Sequence, residues 1–130
     1  MIIKMIAVGL GGFLGATLRY GINEALPPQT GFPLATLCVN LAGCFALALF
    51  ATNMRLGKIE HLQLAVGTGL LGAFTTFSTF STETLSLLQN HQLGAALLYI
   101  LLSVCGGIGL AYIGFQRGKG NRPQQPKVNR

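Results

Sequence analysis

The stretch Gly72-Ala73-Phe74-Thr75-Thr76-Phe77-Ser78-Thr79-Phe80-Ser81-Thr82-Glu83-Thr84 decides the fold. Thr75, Thr76, Ser78, Thr79, Ser81, Thr82, Thr84 and Ser86 put eight hydroxyls into the thirteen residues from Phe74 to Ser86. Rings recur at Phe74, Phe77 and Phe80, each followed by two hydroxyl residues. On an α-helix a step of three residues covers about 300°, so the rings form a slanted ridge with hydroxyls beside it. Gly67, Gly69 and Gly72 lead into the run. Each weakens a helix, because Gly costs about 1 kcal/mol in a helix interior. One or two hydroxyls are accounted for by bonding back to their own helix carbonyls. Eight together favour a polar pathway over back-bonding.

The surrounding chain is apolar. Of 130 residues, 51% are hydrophobic, 18 are Gly and only 9% are charged, nine basic and three acidic. A soluble domain carries about 25% charged residues and has a large surface to cover for its volume. This composition excludes a soluble monomer and a disordered chain. Cys38, Cys44 and Cys105 lie in apolar runs, and their odd number gives no self-contained disulfide framework. They read as small packing residues. The expected class is an all-α integral membrane protein.

The charges mark segment ends. Uncharged stretches run between Lys4 and Arg19, Glu24 and Arg55, Glu60 and Glu83, and Glu83 and Arg117. A spanning helix needs roughly 20 mostly apolar residues, which places four spans at about 2–22, 33–53, 61–88 and 93–115. Residues 1–116 are then one four-helix membrane domain, and 117–130 a basic, Pro-containing tail expected to be disordered. Lys4 ahead of an apolar stretch resembles a signal peptide, yet no A-x-A-like site follows, so the first span is expected to be retained. In the third span the Gly-led hydroxyl run implies a helix broken mid-membrane. Non-helical backbone at that depth is tolerated only where it is buried in protein or lines a cavity. Its freed carbonyls suit a cation and its freed N–H groups an anion.

Most of the net charge of +6 belongs to the tail. It reads as a stop signal at an anionic membrane surface rather than a nucleic-acid site. Counting Lys and Arg by side puts both termini in the cytoplasm. Small residues recur at four-residue spacing: Ala7, Gly11 and Gly15, then Ala65, Gly69 and Ala73, with Gly106, Gly107, Gly109 and Gly114 in the last span. Helices in lipid are held by such close packing. Four helices make a thin wall for a pathway, so a homo-oligomer is expected.

A few polar residues lie within or beside the spans. Asn40 must find partners, either an interhelical bond or an ion contacted by its amide. Thr36 shares its helix face four residues earlier. Arg19 either draws anions toward a vestibule or snorkels to the interface. Tyr99 and Ser103 share a face of the fourth span. Glu83 ends the third apolar run, and His61 and His91 sit at segment ends. No metal-spaced His/Cys/Asp/Glu cluster, P-loop or Ser-His-Asp set is present in the sequence, which leaves almost no material for an enzyme or an organic cofactor.

The segments Gly11-Gly12-Phe13-Leu14-Gly15-Ala16-Thr17-Leu18-Arg19-Tyr20, Val39-Asn40-Leu41-Ala42-Gly43 and Gly72 to Phe80 together resemble the Fluc (CrcB) fluoride channels. The resemblance covers about residues 2–115. It implies a passive, fluoride-selective channel of the bacterial inner (plasma) membrane that sheds cytoplasmic fluoride. It further implies an antiparallel dual-topology homodimer with two pores and a central structural sodium. Under it, Phe77 and Phe80 contact fluoride, with Ser78 and Thr79 between them. Asn40 is the pore amide, and Arg19 the vestibule cation. Thr36, Tyr99 and Ser103 belong to a polar track, and the backbone carbonyls of Gly72 and Thr75 hold the sodium. Two other readings remain open: a small proton-coupled multidrug-type exporter that depends on Glu83, and a non-transporting membrane assembly subunit.

Overall fold

The computed structural model describes residues 1–27, 31–52 and 60–120. Its regular elements are all helical, joined by short non-helical links at 26–27, 31–33, 75–76 and 90–92. Helix α1 is Ile2–Ala25 and α2 is Leu34–Thr52. The third apolar run is a composite of α3 (Glu60–Gln63), a π-helical stretch Leu64–Leu71, α4 (Gly72–Phe74) and α5 (Phe77–Gln89). Helix α6, Leu93–Gly120, is the last element among the described residues. Four helical runs are long and apolar enough to cross a membrane: Ile2–Ala25, Leu34–Thr52, Glu60–Gln89 and Leu93–Lys119. The loop cations Arg55 and Lys58 and the tail residues 121–130 lie outside the described residues. Arg117 and Lys119 lie in the last turns of α6, which runs on past the end expected from hydropathy.

Local chemistry sets the helix ends. The amide of Leu26 closes α1 on Ile22 O at 2.9 Å, and Pro27, which has no N–H, cannot extend the ladder. Pro33 stands just before α2 and accepts from Leu37 N at 3.1 Å, a position where its missing N–H costs nothing. α5 ends in a left-handed residue, His91, at φ 57°. His91 N donates to Leu88 O at 3.1 Å and Gln92 N to Leu87 O at 2.9 Å, the paired bonds of a Schellman turn.

The helices pack in two layers of contact. α2 lies along α6, and α1 lies along the π-helical stretch and α4. Both seams depend on glycine. A Cβ on Gly11 would overlap Ala65 O, and one on Gly15 would overlap Leu70 O. Backbone therefore meets backbone between α1 and the third run, the packing that small-residue spacing provides in lipid. Gly114 does the same for α6 against Phe45 O of α2, and Gly118 makes room for the Thr52 side chain. The small-residue faces of α1 and the third run thus find each other within one chain.

The buried core is small. One cluster holds Leu37, Leu87, Ala96 and Tyr99, with Phe32, Leu41, Phe80 and Ala95 packed on it, and Val39 and Leu71 are buried besides. Large apolar side chains point outward on every long helix, among them Leu10, Phe13, Leu47, Leu85, Leu101 and Ile108. Water would penalise such a surface, whereas lipid does not, and the helices keep their backbone bonds internal.

Candidate functional site

The π-helical stretch ends where Gly72 N donates to both Gly67 O and Gly69 O. Thr75 N still reaches Leu71 O at 3.1 Å. There the helix stops. Thr75 takes φ −78° and ψ 154°, and Thr76 takes φ −147° and ψ 117°, both extended. A new helix, α5, starts at Phe77. The interruption therefore falls inside the hydroxyl run and separates Phe74 from Phe77. The expected three-ring ridge is a two-ring pair: Phe77 and Phe80 lie 5.8 Å apart at 36°.

Asn40 of α2 holds the interruption in place. Its Oδ1 accepts from Thr76 N at 2.8 Å, and its Nδ2 donates to Thr76 O at 3.0 Å. One amide side chain thus replaces both helical partners of one peptide residue. Each such bond is worth about 0.5–1.5 kcal/mol net, and leaving either group bare would cost more. One hydrogen of the Asn40 amide remains uncommitted, since an NH₂ group carries two donors.

Thr76 is the second organiser. It is 8% exposed and caps α5 by accepting from Thr79 N at 3.2 Å. Its hydroxyl donates to Thr79 Oγ1 at 3.0 Å and lies 3.2 Å from Ser78 Oγ. Sequence reasoning passed over Thr76 as a site residue. The signal was a Thr just before a helical run, the usual N-cap position. Four other hydroxyls of the run bond back along their own helices: Thr75 to Leu71 O, Ser81 to Phe77 O, Thr82 to Ser78 O and Thr84 to Phe80 O. For these four, back-bonding holds; Thr76, Ser78 and Thr79 form a separate hydroxyl cluster at the start of α5, and Ser86 Oγ lies 3.4 Å from Asn90 Nδ2.

The diverted amides have a consequence for the carbonyls. Thr76 N and Thr79 N would, in an unbroken helix, donate to Gly72 O and Thr75 O. They donate to Asn40 and to the Thr76 hydroxyl instead. Gly72 and Thr75 therefore present oxygens stripped of their helical donors.

Beside the break lies an open cavity of about 330 Å³, lined in part by Asn40, Thr76, Phe77, Phe80, Cys44 and Ser103. Ser103 Oγ is buried and has no hydrogen-bond partner among the described residues. Phe77 is 81% exposed and stands at the cavity edge. Phe80 turns its ring toward Tyr99, centroids 5.1 Å apart.

Tyr99 leads to a second polar group. Its hydroxyl donates to Glu83 Oε2 at 2.8 Å, and Thr36 Oγ1 donates to Glu83 Oε1 at 2.8 Å. Tyr99 is fully buried and Thr36 is 3% exposed. Thr36 and Tyr99 thus meet across Glu83, whose part as their common acceptor was not legible in the sequence. Arg19 lies apart, half-buried on α1, with no hydrogen bond or ion pair among the described residues. His61 and His91 stand exposed at helix ends, away from the cavity.

These features define a class: a multi-pass helical membrane protein with an interrupted helix held by a neighbouring amide. The chain belongs to the CrcB family, whose model, described as "CrcB-like protein, Camphor Resistance (CrcB)", matches residues 6–115. It is 46% identical over 113 residues to the "Fluoride-specific ion channel FluC" of Oceanobacillus iheyensis, covering 85% of this chain and 88% of that protein. It is 42% identical to a "Fluoride-specific ion channel FluC 1" of Bacillus cereus, covering 87% and 85%. The FluC of Chlorobium phaeobacteroides is 42% identical, covering 88% and 92%. These names describe ion channels, not enzymes.

Proposed function

We propose that this chain forms a passive, fluoride-selective channel through the bacterial inner membrane and releases cytoplasmic fluoride. The observation that carries the reading is a cavity with uncommitted but uncharged donors. Asn40 keeps one amide hydrogen, and Ser103 keeps its hydroxyl, beside the rings of Phe77 and Phe80. Fluoride is small and strongly hydrated, so a pathway must offer donors in place of water. A side-chain cation in direct contact would bind it too firmly to release, whereas amide, hydroxyl and the positive edges of phenyl rings offer weaker, distributed partners. Ser78 and Thr79 add hydroxyls at the start of α5, and Thr36 and Tyr99 extend the polar groups along α2 and α6. Arg19 would draw anions from outside the cavity.

The full assembly under this reading is an antiparallel dual-topology homodimer with two pores. The freed carbonyls of Gly72 and Thr75 fit a hard monovalent cation, which prefers oxygen donors. They are two ligands from one chain, so a second copy would complete the set. Sodium bound there would supply a fixed positive charge and join the two copies. The helix break would then lie at mid-membrane depth.

The test is efflux from liposomes loaded with fluoride, read by a fluoride electrode, with chloride-loaded liposomes as the control. Rapid fluoride release, slow chloride release and no need for a pH gradient are expected. Release that requires a proton gradient and is lost in Glu83→Gln would favour a proton-coupled exporter. No release of either ion would leave a membrane assembly subunit. Replacing sodium with a bulky organic cation should lower the thermal stability of the dimer, and an unchanged melting point would remove the sodium site.

A further inference from the structure

Gly43 lies three residues beyond Asn40 on the same face of α2, buried against the helix break. A Cβ at this position would overlap the Cγ2 methyl of Thr75 and lie 3.7 Å from Phe74 Cδ1. Thr75 is not free to turn away. Its Oγ1 donates to Leu71 O at 2.9 Å, and a β-branched side chain has few χ1 choices. With the hydroxyl committed, the methyl must point at α2, and only Gly43 leaves room for it.

The residue after Thr75 is the one that Asn40 grips. Those two bonds, at 2.8 and 3.0 Å, have little slack. A shift of about 1 Å would carry both beyond hydrogen-bonding range. α2 therefore registers the break at two points, a seat at Gly43 for Thr75 and a clamp at Asn40 for Thr76.

We propose that Gly43 is a positioning residue for ion passage: by seating the Thr75 methyl it lets Asn40 hold Thr76 and so keeps the cavity wall in conducting shape. This rests on the channel reading above. Gly43 touches no ion in this account. It acts through Thr75 and Asn40.

The experiment compares wild type, Gly43→Ala, Thr75→Ser and the double variant. Thr75→Ser removes the opposing methyl and keeps the hydroxyl bonded to Leu71 O. Two readouts are taken: hydrogen exchange of the Thr76 amide in detergent-solubilised protein, and fluoride efflux from liposomes. Gly43→Ala should speed Thr76 exchange and slow efflux, each by about tenfold or more, as over-packing a filled site does. The double variant should return both to within about threefold of wild type, since the overlap is gone. A general packing defect would also raise exchange along α6 and would not be relieved at Thr75.

Wild-type exchange and efflux in Gly43→Ala would overturn the proposal. So would a double variant no better than Gly43→Ala, or lost Thr76 protection with normal efflux. If Gly43→Ala fails to fold, the double variant decides: folding with restored efflux supports the seat, and failure to fold refutes it. A wild-type protein that passes no fluoride would defeat the channel reading instead, and the exchange arm would still judge the seat by itself.

Discussion

Asn40→Ala tests the reading of the helix break most directly. The substitution removes the acceptor 2.8 Å from Thr76 N and the donor 3.0 Å from Thr76 O. The extended backbone at Thr75 and Thr76 offers neither group a helical partner in return. Each buried polar group left bare costs about 1–3 kcal/mol, so the pair is worth about 2–6 kcal/mol. At the lower end, about 2 kcal/mol, the equilibrium for opening the clamp shifts by about 30-fold. Exchange of the Thr76 amide, followed by mass spectrometry or NMR, should therefore accelerate by at least about 30-fold. Fluoride efflux should fall with it. Asn40→Asp should not rescue either measurement, although it is nearly isosteric. One carboxylate oxygen can still accept from Thr76 N, but the other would face Thr76 O, acceptor against acceptor. Thr76 protection at the wild-type level in Asn40→Ala would refute the clamp, whatever happened to efflux.

Phe80→Ile removes a ring that lines the cavity and packs 5.1 Å from Tyr99; efflux should drop about tenfold with the helical content retained, and normal efflux would remove Phe80 from the pathway. Gly15→Ala forces a methyl onto Leu70 O at the seam between α1 and the third run; it should cost about 1–3 kcal/mol in a denaturation series, and an unchanged midpoint would contradict the close approach. His91→Gly relieves a non-glycine residue at φ 57° in the turn after α5; it should raise stability by about 0.5–1 kcal/mol, and a loss would mean that the imidazole makes contacts beyond this turn.

Much of this fold is legible because lipid-facing helices announce themselves by length and hydropathy. Leu34–Thr52 falls within one residue or so of the apolar stretch between Pro33 and the following loop, because proline stops a helix by chemistry alone. α1 runs on past the expected end near Ile22 to Ala25, because Asn23 and Glu24 are polar yet still helical. The π-helical stretch Leu64–Leu71 left no mark, since hydropathy is blind to whether an amide reaches back four residues or five. The hydroxyl run announced an interruption but not its place. The place depends on Asn40, more than thirty residues away in sequence, and long-range partners are invisible to local pattern. The same holds for Glu83: its neighbours in sequence could not reveal that Thr36 and Tyr99 both donate to it. Whether Asn40 made an interhelical bond or an ion contact was undecided from sequence; the structure supplies the bond and leaves one donor over.

Under the proposed function, the clamp would also link two separate requirements, a place for a cation and a place for an anion. Both follow from the diversion of two amides. Because Thr76 N turns to Asn40, Gly72 O loses its donor; because Thr79 N turns to the Thr76 hydroxyl, Thr75 O loses its own. Those oxygens are the cation's ligands in the proposed assembly. The same diversion ends one helix and starts another, which sets Phe77 and Phe80 on a new axis beside Asn40 and Ser103. No basic side chain among the described residues lines the cavity, so under the proposed function an anion there would meet neutral donors. In the proposed assembly, charge would come from the cation that those carbonyls hold, and selectivity from neutral donors. If this coupling is correct, loosening the clamp should weaken sodium-dependent dimer stability and fluoride efflux together. Asn40→Ala with lost efflux but intact sodium stabilisation would show that the two sites are independent.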